Sequence, residues 1–427
     1  MSGNEEKVEQ ASPIIWALIG YLFLFIFRPY EYWEILGQFR IERIYMLALF
    51  GSVLLWNGKR YVSHPINKAV YFFFSVMVVS TLAAYDFDAA YQATFGYFKV
   101  FIFYLVIILT VRTPKDFQLF LFGFVGVMGL YVGKSAWEFF IHGRVVYRMG
   151  ISRMVGIDKT YGDPNSFAAT IAYSLPFLWA LIKWRPVQGW LRIGLLLYGG
   201  LAAVSLVYTG SRSGQMTVLL LLLMLWLGAK RKIVGAILLF VVLFFGWSQM
   251  PADYKNRILT LFVEDVGPAS AYSSAQGRGE GFHQGIKLLN QYPLLGIGPG
   301  NFPYGWDDPR QNHNAHNLYG QLLGELGVAG AIAFATFFFI LIRAHWSNLL
   351  AARKCFDGTC PENSEALRDI LIIRYSSVAC LQTIIMLLFN GYGGHNLYRY
   401  HWLWLAAMGV VMSAMLSDFE GRDEHEV

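Results

Sequence analysis

The sequence predicts an all-α polytopic membrane protein with about twelve transmembrane helices and one large extramembrane loop carrying short helices. Three observations predict it. Of 427 residues, 56% are hydrophobic and only 15% charged, with a mean hydropathy of +0.43, too apolar for a soluble fold of this length. Apolar runs of about 18 or more residues recur, and they are continuous rather than alternating, so helices and not barrel strands span the bilayer. Polar residues gather in one long stretch, Pro251 to Gly330, that interrupts the apolar pattern once.

The first thirteen residues are polar and mildly acidic, with no basic region ahead of a cleavage site, so no removable signal peptide is expected. The spans then follow in order. The first five are expected at Ile14 to Phe27, Ile41 to Trp56, Ala69 to Tyr85, Phe95 to Val111 and Phe117 to Ile141. Asn165 to Ile182 ends at Lys183-Trp184-Arg185-Pro186, and Leu191 to Tyr208, Gly214 to Gly228 and Ile233 to Trp247 complete nine. After the loop come His316 to Ile342, Ile370 to Phe389 and His401 to Leu416. The chain thus divides into a helical part over 1–249, a loop over 250–315, a second helical part over 316–417 and a tail over 418–427. Trp16, Trp33, Trp184, Trp190, Trp247 and Trp402 near span ends form an interfacial belt.

Cations orient the bundle. Lys59-Arg60, Arg112 with Lys115, Lys183-Trp184-Arg185, Lys230-Arg231-Lys232 and the segment 343–368 share one side, which the positive-inside rule makes cytoplasmic. Both termini fall there. The other side still carries Arg144, Arg148, Arg153, Lys159, Arg212, Arg257, Arg278, Arg310 and Arg399, against the topological preference. An anionic ligand on that face would account for them. For Arg144, Arg148 and Arg310, pairing with lipid phosphates or with Glu264 and Asp265 suffices. Lys134 and Glu138 have the spacing of an ion pair on one helix face.

Four stretches have the composition of a site. Thr209-Gly210-Ser211-Arg212-Ser213-Gly214 is a tight link between apolar helices, and Arg212 has the planar fork that suits phosphate oxygens. Arg278 stands just before a helix expected from Glu280 to Gln291. His316 opens the tenth span, where an imidazole is a candidate general base, with Asn317, His313 or Glu325 as its orienting partner. The glycine-rich run Gly296 to Gly300 would add flexible backbone beside these groups. Asp163 and Asn165 read first as helix caps around Pro164, with a second role near substrate. His313 with His316, and Asp86 with Asp88, are weak metal pairs, and Cys355, Cys360 and Cys380 form neither a disulfide framework nor a zinc site.

From Thr209 to Gly330 the chain resembles the O-antigen ligase and polymerase superfamily of bacterial envelope glycosyltransferases. The Ser-Arg-Ser-Gly turn, Gly277-Arg278 before an amphipathic helix, and Tyr292-Pro293-Leu294-Leu295-Gly296-Ile297-Gly298-Pro299-Gly300 carry the likeness. The most specific element is His316-Asn317, nine residues, then Gly327-Val328-Ala329-Gly330. The first two hundred residues match only in style. The resemblance implies a GT-C-like architecture, and an inverting, metal-independent transferase in the inner membrane, acting at the periplasmic face. It would move a glycan from an undecaprenyl diphosphate donor to a lipid A–core acceptor among membrane lipids, with no cofactor and no nucleic acid. It implies His316, Arg212 and Arg278 as catalytic residues, with Arg153, Asp163, Asn165, His313 and Asn317 as substrate-binding. Two alternatives remain open: an O-antigen or exopolysaccharide polymerase using the same donor, and an anion transporter. A transporter is expected to carry its charges near mid-membrane rather than at one face.

Overall fold

A computed structural model describes residues 11–148, 150–160, 162–184, 186–259, 269–307, 313–357 and 364–423. Tyr161, Glu264, Asp265, Arg310 and the acidic tail beyond Asp423 lie outside these residues, as do the side chains of Cys355 and Cys360.

The chain is helical nearly throughout. From the N-terminus it forms α1 (Ile14–Phe27), α2 (Pro29–Tyr32), α3 (Glu34–Gln38), α4 (Ile41–Leu55), α5 (Pro65–Leu82), α6 (Phe87–Thr110) and α7 (Pro114–Phe140). Then come α8 (Pro164–Lys183), α9 (Gly189–Tyr208), α10 (Arg212–Leu227), α11 (Lys232–Gln249), α12 (Ala252–Leu259) and α13 (Ala269–Gln291). The last three are α14 (Leu318–Asp357), α15 (Ser364–Gly391) and α16 (His401–Asp423). A helix falls on each expected span. Among the described residues ten helical stretches are long and apolar enough to cross a membrane, while Ile41–Leu55 and Arg212–Leu227 are shorter. This is an all-α polytopic membrane protein. Lys134 and Glu138 pair at 2.6 Å along α7, as their spacing predicts.

One departure from pure helix matters to the site. The connection from α7 to α8 folds as a two-stranded antiparallel hairpin, β1 (Val145–Arg148) and β2 (Ile151–Met154), in which Val146 pairs with Arg153. Its four-residue strands are too short for a period to show in sequence. Tyr254 of α12 donates its hydroxyl to Ser152 O, and Ile151, Met250 and Tyr254 form a small apolar cluster that fixes the hairpin against α12.

A second departure corrects the reading of the glycine-rich run as flexible backbone beside the substrate. Helix α14 is broken at Gly327, whose backbone sits at φ 61°, ψ −156°. The run splices into the break. Val328 and Ala329 donate their N–H groups to Pro293 O and Leu294 O, and the carbonyls of Gly324 and Glu325 accept from Ile297 and Gly298, all at 2.9–3.0 Å. The backbone groups that a continuous helix would pair with each other are thus satisfied from outside, which makes a break inside the bundle tolerable. Glycine is required twice over at Gly327: its φ is left-handed, and a Cβ would lie 2.7 Å from Gly296 N. Glu325 accepts from Gly300 N at 2.9 Å and from the Tyr398 hydroxyl at 2.7 Å, so it ties the run to the α15–α16 connection.

Helices α13 and α14 meet backbone to backbone. A Cβ on Gly281 would lie 1.8 Å from Ala315 O, and one on Gly285 would lie 2.3 Å from Gly320 O. This small-residue crossing brings the middle of α13 onto the start of α14.

Candidate active site

At the end of the bundle that holds the hairpin, α13 and the α15–α16 connection, a polar cavity of about 480 Å³ opens. Its lining comes from several separate pieces of chain. Arg148 and Arg153 arrive on the hairpin, and Asp163, Asn165 and Ser166 at the start of α8. Arg278 arrives on α13, with His313 and His316 ahead of α14. His395, Asn396 and Arg399 close the far side.

The α13–α14 crossing sets Arg278 and His316 side by side. Arg278 lies inside α13, about one turn before Gly281, and not ahead of a helix as the sequence pattern predicts. The helix begins earlier because glycines at 277, 279 and 281 are tolerated in it, whereas in sequence they read as a break. The Arg278 guanidinium lies against Gly393, where a Cβ would be 3.2 Å from its Cζ. His316 has a left-handed backbone, φ 45°, and its imidazole faces the cavity. Asn317 follows as the cap of α14, its Oδ1 accepting from Tyr319 N at 2.9 Å and Gly320 N at 3.0 Å.

The electrostatics favour a neutral imidazole. Burial lowers the pKa of His316 below its usual value, the charges of His313 and Arg278 lower it further, and Asp163 opposes them. His395 meets the His316 ring edge to face, with centroids 5.2 Å apart, and burial pushes its pKa down to about 4. Burial also lowers Arg278, and Tyr392 opposes that shift. Arg153 is 1% exposed. Its Nε donates to Thr209 O at 2.7 Å, where α9 ends, and its Nη2 to Asn165 Oδ1 at 2.8 Å. Arg257 donates from Nε to Gly210 O at 2.6 Å. Burial brings Arg153 and Arg257 down to about 10, and Arg148 and Arg212 add repulsion to each, yet Arg153 and Arg257 remain charged at neutral pH. Arg153 and Arg257 therefore clasp the link between α9 and α10, with Arg212 at its end. Arg212 is buried in the first turn of α10, behind a cap in which Ser211 Oγ accepts from Gly214 N at 3.3 Å.

A second cavity of about 580 Å³ adjoins the first. It shares Ser213, Arg278, Asn390 and Gly393 with the polar one, and Arg212 also lines it. Its remaining wall is Met216 and Leu220 of α10, Tyr319 of α14, Ile385, Leu388 and Phe389 of α15, and Tyr392 just beyond it. Polar cavity and apolar groove thus meet at Arg278, with Arg212 on the groove side.

The eight residues singled out in sequence divide as follows. Arg153, Asp163, Asn165, Arg278, His313 and His316 line the polar cavity, and Arg212 lines the apolar one. Asn317 does not line either: it is fully buried, and its Nδ2 donates to Tyr392 O at 3.3 Å. Of the orienting partners proposed for His316, Glu325 is committed to Gly300 and Tyr398, and His313 stacks on Trp306 with centroids 4.6 Å apart. Arg148 is a correction, since it faces the cavity. Arg144 instead donates to Ile157 O at 3.1 Å. Asp86 caps α6 by accepting from Ala89 N at 2.8 Å. Arg399, already among the outer-face cations, lines the cavity, whereas sequence reasoning missed His395, although Tyr392-Gly393-Gly394-His395, a glycine pair beside an imidazole in an outer connection, was the available signal. Among the described residues no three His, Cys, Asp or Glu side chains gather as a metal ion would need.

The fold and site define a polytopic membrane protein with a cationic, imidazole-bearing cavity at one membrane face, opening beside an apolar groove. Residues 197–335 match the family model described as O-Antigen ligase, so over that stretch the chain is similar to the O-antigen ligase and polymerase superfamily. The matched residues include Arg212, Arg278, His316 and the glycine splice. The match supports a ligase- or polymerase-type glycosyltransferase that handles lipid-linked glycan and acceptor at a membrane. No curated protein matches the chain significantly.

Proposed function

We propose that the protein is an O-antigen ligase-type glycosyltransferase that moves a glycan from undecaprenyl diphosphate to a lipid A–core acceptor on the periplasmic face of the inner membrane. One observation carries this reading: the polar cavity with His316 and the apolar groove with Arg212 share Arg278 at their junction. A polyprenyl diphosphate donor has the same shape, an apolar tail, an anionic joint and a polar glycan. The tail would lie in the groove, the diphosphate between Arg212 and Arg278, and the sugar in the polar cavity.

The reaction then follows. The acceptor hydroxyl attacks C1 of the donor sugar as the bond from C1 to the diphosphate oxygen breaks. His316 takes the hydroxyl proton, and the added negative charge on the leaving diphosphate is stabilised by the two guanidinium groups in place of a divalent ion. A single displacement inverts the anomeric centre. Arg153, Asp163, Asn165 and His313 would contact the glycan, whereas Asn317 would act by fixing the start of α14 beneath His316.

The test is reconstitution of the purified chain with lipid-linked glycan and lipid A–core. Glycan on lipid A supports the ligase. A ladder on the carrier lipid makes the enzyme a polymerase, and no transfer at all overturns the assignment.

A further inference from the structure

A third cavity lies at the opposite end of the bundle, bounded by α8, α10, α14 and α15, and it has a volume of about 1370 Å³. Asn165 and Lys183, near the two ends of α8 and about 27 Å apart along it, line the polar cavity and this one respectively, and this one shares no lining residue with either cavity above. Six cations line it: Lys183, Lys230, Arg231, Arg353, Arg368 and Arg374. Among the described residues no carboxylate lines it. The cations arrive from the α8 end, the α10–α11 connection, α14 and the start of α15, so convergence of four elements and not one charged segment makes the ring.

The wall changes character with depth. Along α15 the lining residues are Leu367, Leu371, Tyr375, Val378 and Gln382, one stripe of a helix running about 22 Å at 1.5 Å per residue. Met224 and Leu225 of α10 face it, and Trp179 of α8 meets Tyr375 edge to face with centroids 6.0 Å apart. A cationic mouth, an aromatic pair flanked by Arg374, and a wall of Leu371, Val378, Met224 and Leu225 that ends at Gln382 match the outline of a phospholipid. A soluble anion would use only the mouth. Positive charge on one face sets orientation, but orientation alone needs no cavity and no apolar trough.

We propose that this cavity holds an anionic phospholipid, its phosphate headgroup among the six cations and an acyl chain along α15. Clustered Lys and Arg at a membrane surface select anionic over zwitterionic headgroups, each contributing roughly a fivefold gain in affinity. The proposal is independent of the transfer chemistry at the other end.

Native mass spectrometry of the full chain, released from detergent with phosphatidylglycerol or phosphatidylethanolamine added, tests it. Phosphatidylglycerol should be retained as one tightly bound copy and phosphatidylethanolamine should wash out. The triple variant Lys183→Gln, Arg231→Gln, Arg368→Gln should bind phosphatidylglycerol on the order of 100-fold more weakly. Lys115→Gln, an exposed cation on the same face outside the cavity, should bind as the parent does. Equal retention of both lipids, or a triple variant that binds like the parent, overturns the proposal. So does protection of the chain against heat by inorganic phosphate as strong as that by phosphatidylglycerol, which would make the site one for a soluble anion. If the triple variant does not fold, Arg368→Gln alone should still show a loss of about fivefold.

Discussion

Gly393→Ala isolates the placement of Arg278 from everything else in the site. An added Cβ would lie 3.2 Å from Cζ and 3.3 Å from Nε of Arg278. Non-bonded carbons settle at about 3.5–4.0 Å, so the guanidinium must retreat by roughly 0.3–0.8 Å. The backbone at Gly393 is not left-handed, so alanine fits it without strain. The substitution also narrows the unfolded ensemble, so stability should hold or rise by about 0.4–1 kcal/mol. Activity should move the other way. A misplacement of about 1 Å at a reacting centre costs on the order of 100-fold, so about half that shift should cost on the order of tenfold. The assay pairs thermal unfolding of the purified protein with turnover on lipid-linked glycan. Arg278→Ala supplies the reference, with an expected loss of about 10²–10³-fold from removing one charge-stabilising donor. If the glycine acts through the guanidinium, adding Gly393→Ala to Arg278→Ala costs nothing further. Full activity in Gly393→Ala, or additive losses in the double variant, would refute the placement of Arg278 on the leaving group.

Arg212→Ala should lower turnover by about 10²–10³-fold while the protein still inserts and purifies as the parent does, and full activity would remove it from the leaving-group site. The acid limb of kcat/KM should fall below pH 6.5, because a base must be unprotonated and burial lowers the His316 pKa from its ordinary value. A limb centred above 7 would point to another group. Gly327→Ala must place a Cβ 2.7 Å from Gly296 N at a left-handed φ of 61°, so it should lower the melting temperature or abolish folded yield. An unchanged melting curve would mean the splice is not needed to hold α14.

Much of this was legible in sequence because the bilayer enforces a simple code. A long apolar run has no alternative to helix, so each expected span fell on one. The cations at 212 and 278 and the imidazole at 316 stood out because charge at a membrane edge is costly. What was hidden depends on pairing across the chain. The hairpin strands are four residues each and carry no period. The glycine-rich run looked mobile because its partners, the backbone groups around Gly327, are about thirty residues downstream. Gly281 and Gly285 have the spacing of a close helix crossing, a signal that was present and is the reason Arg278 and His316 meet. Arg148 and Arg153 have the same residue type and sit in the same hairpin, and only the fold shows that both reach the cavity.

The backbone of His316 offers a way to separate a catalytic imidazole from a structural one. A histidine at φ 45° costs about 1–2 kcal/mol relative to a residue free of Cβ. The chain could avoid that cost with glycine, which is used at left-handed positions 296, 298, 300 and 327 nearby. Its conformation is over-determined by neighbours, since Ala315 O abuts Gly281 and Asn317 caps α14. A strained side chain held in an open cavity by both flanks is what a functional requirement predicts, and a packing requirement does not. His316→Gly should therefore raise stability by about 1 kcal/mol while abolishing transfer, and added imidazole should restore part of the rate. His316→Asn, whose side chain also tolerates the left-handed region, should keep parental stability and remain inactive with or without moderate imidazole. A His316→Gly protein that unfolds would make the residue structural, and one that transfers glycan without imidazole would end its assignment as the base.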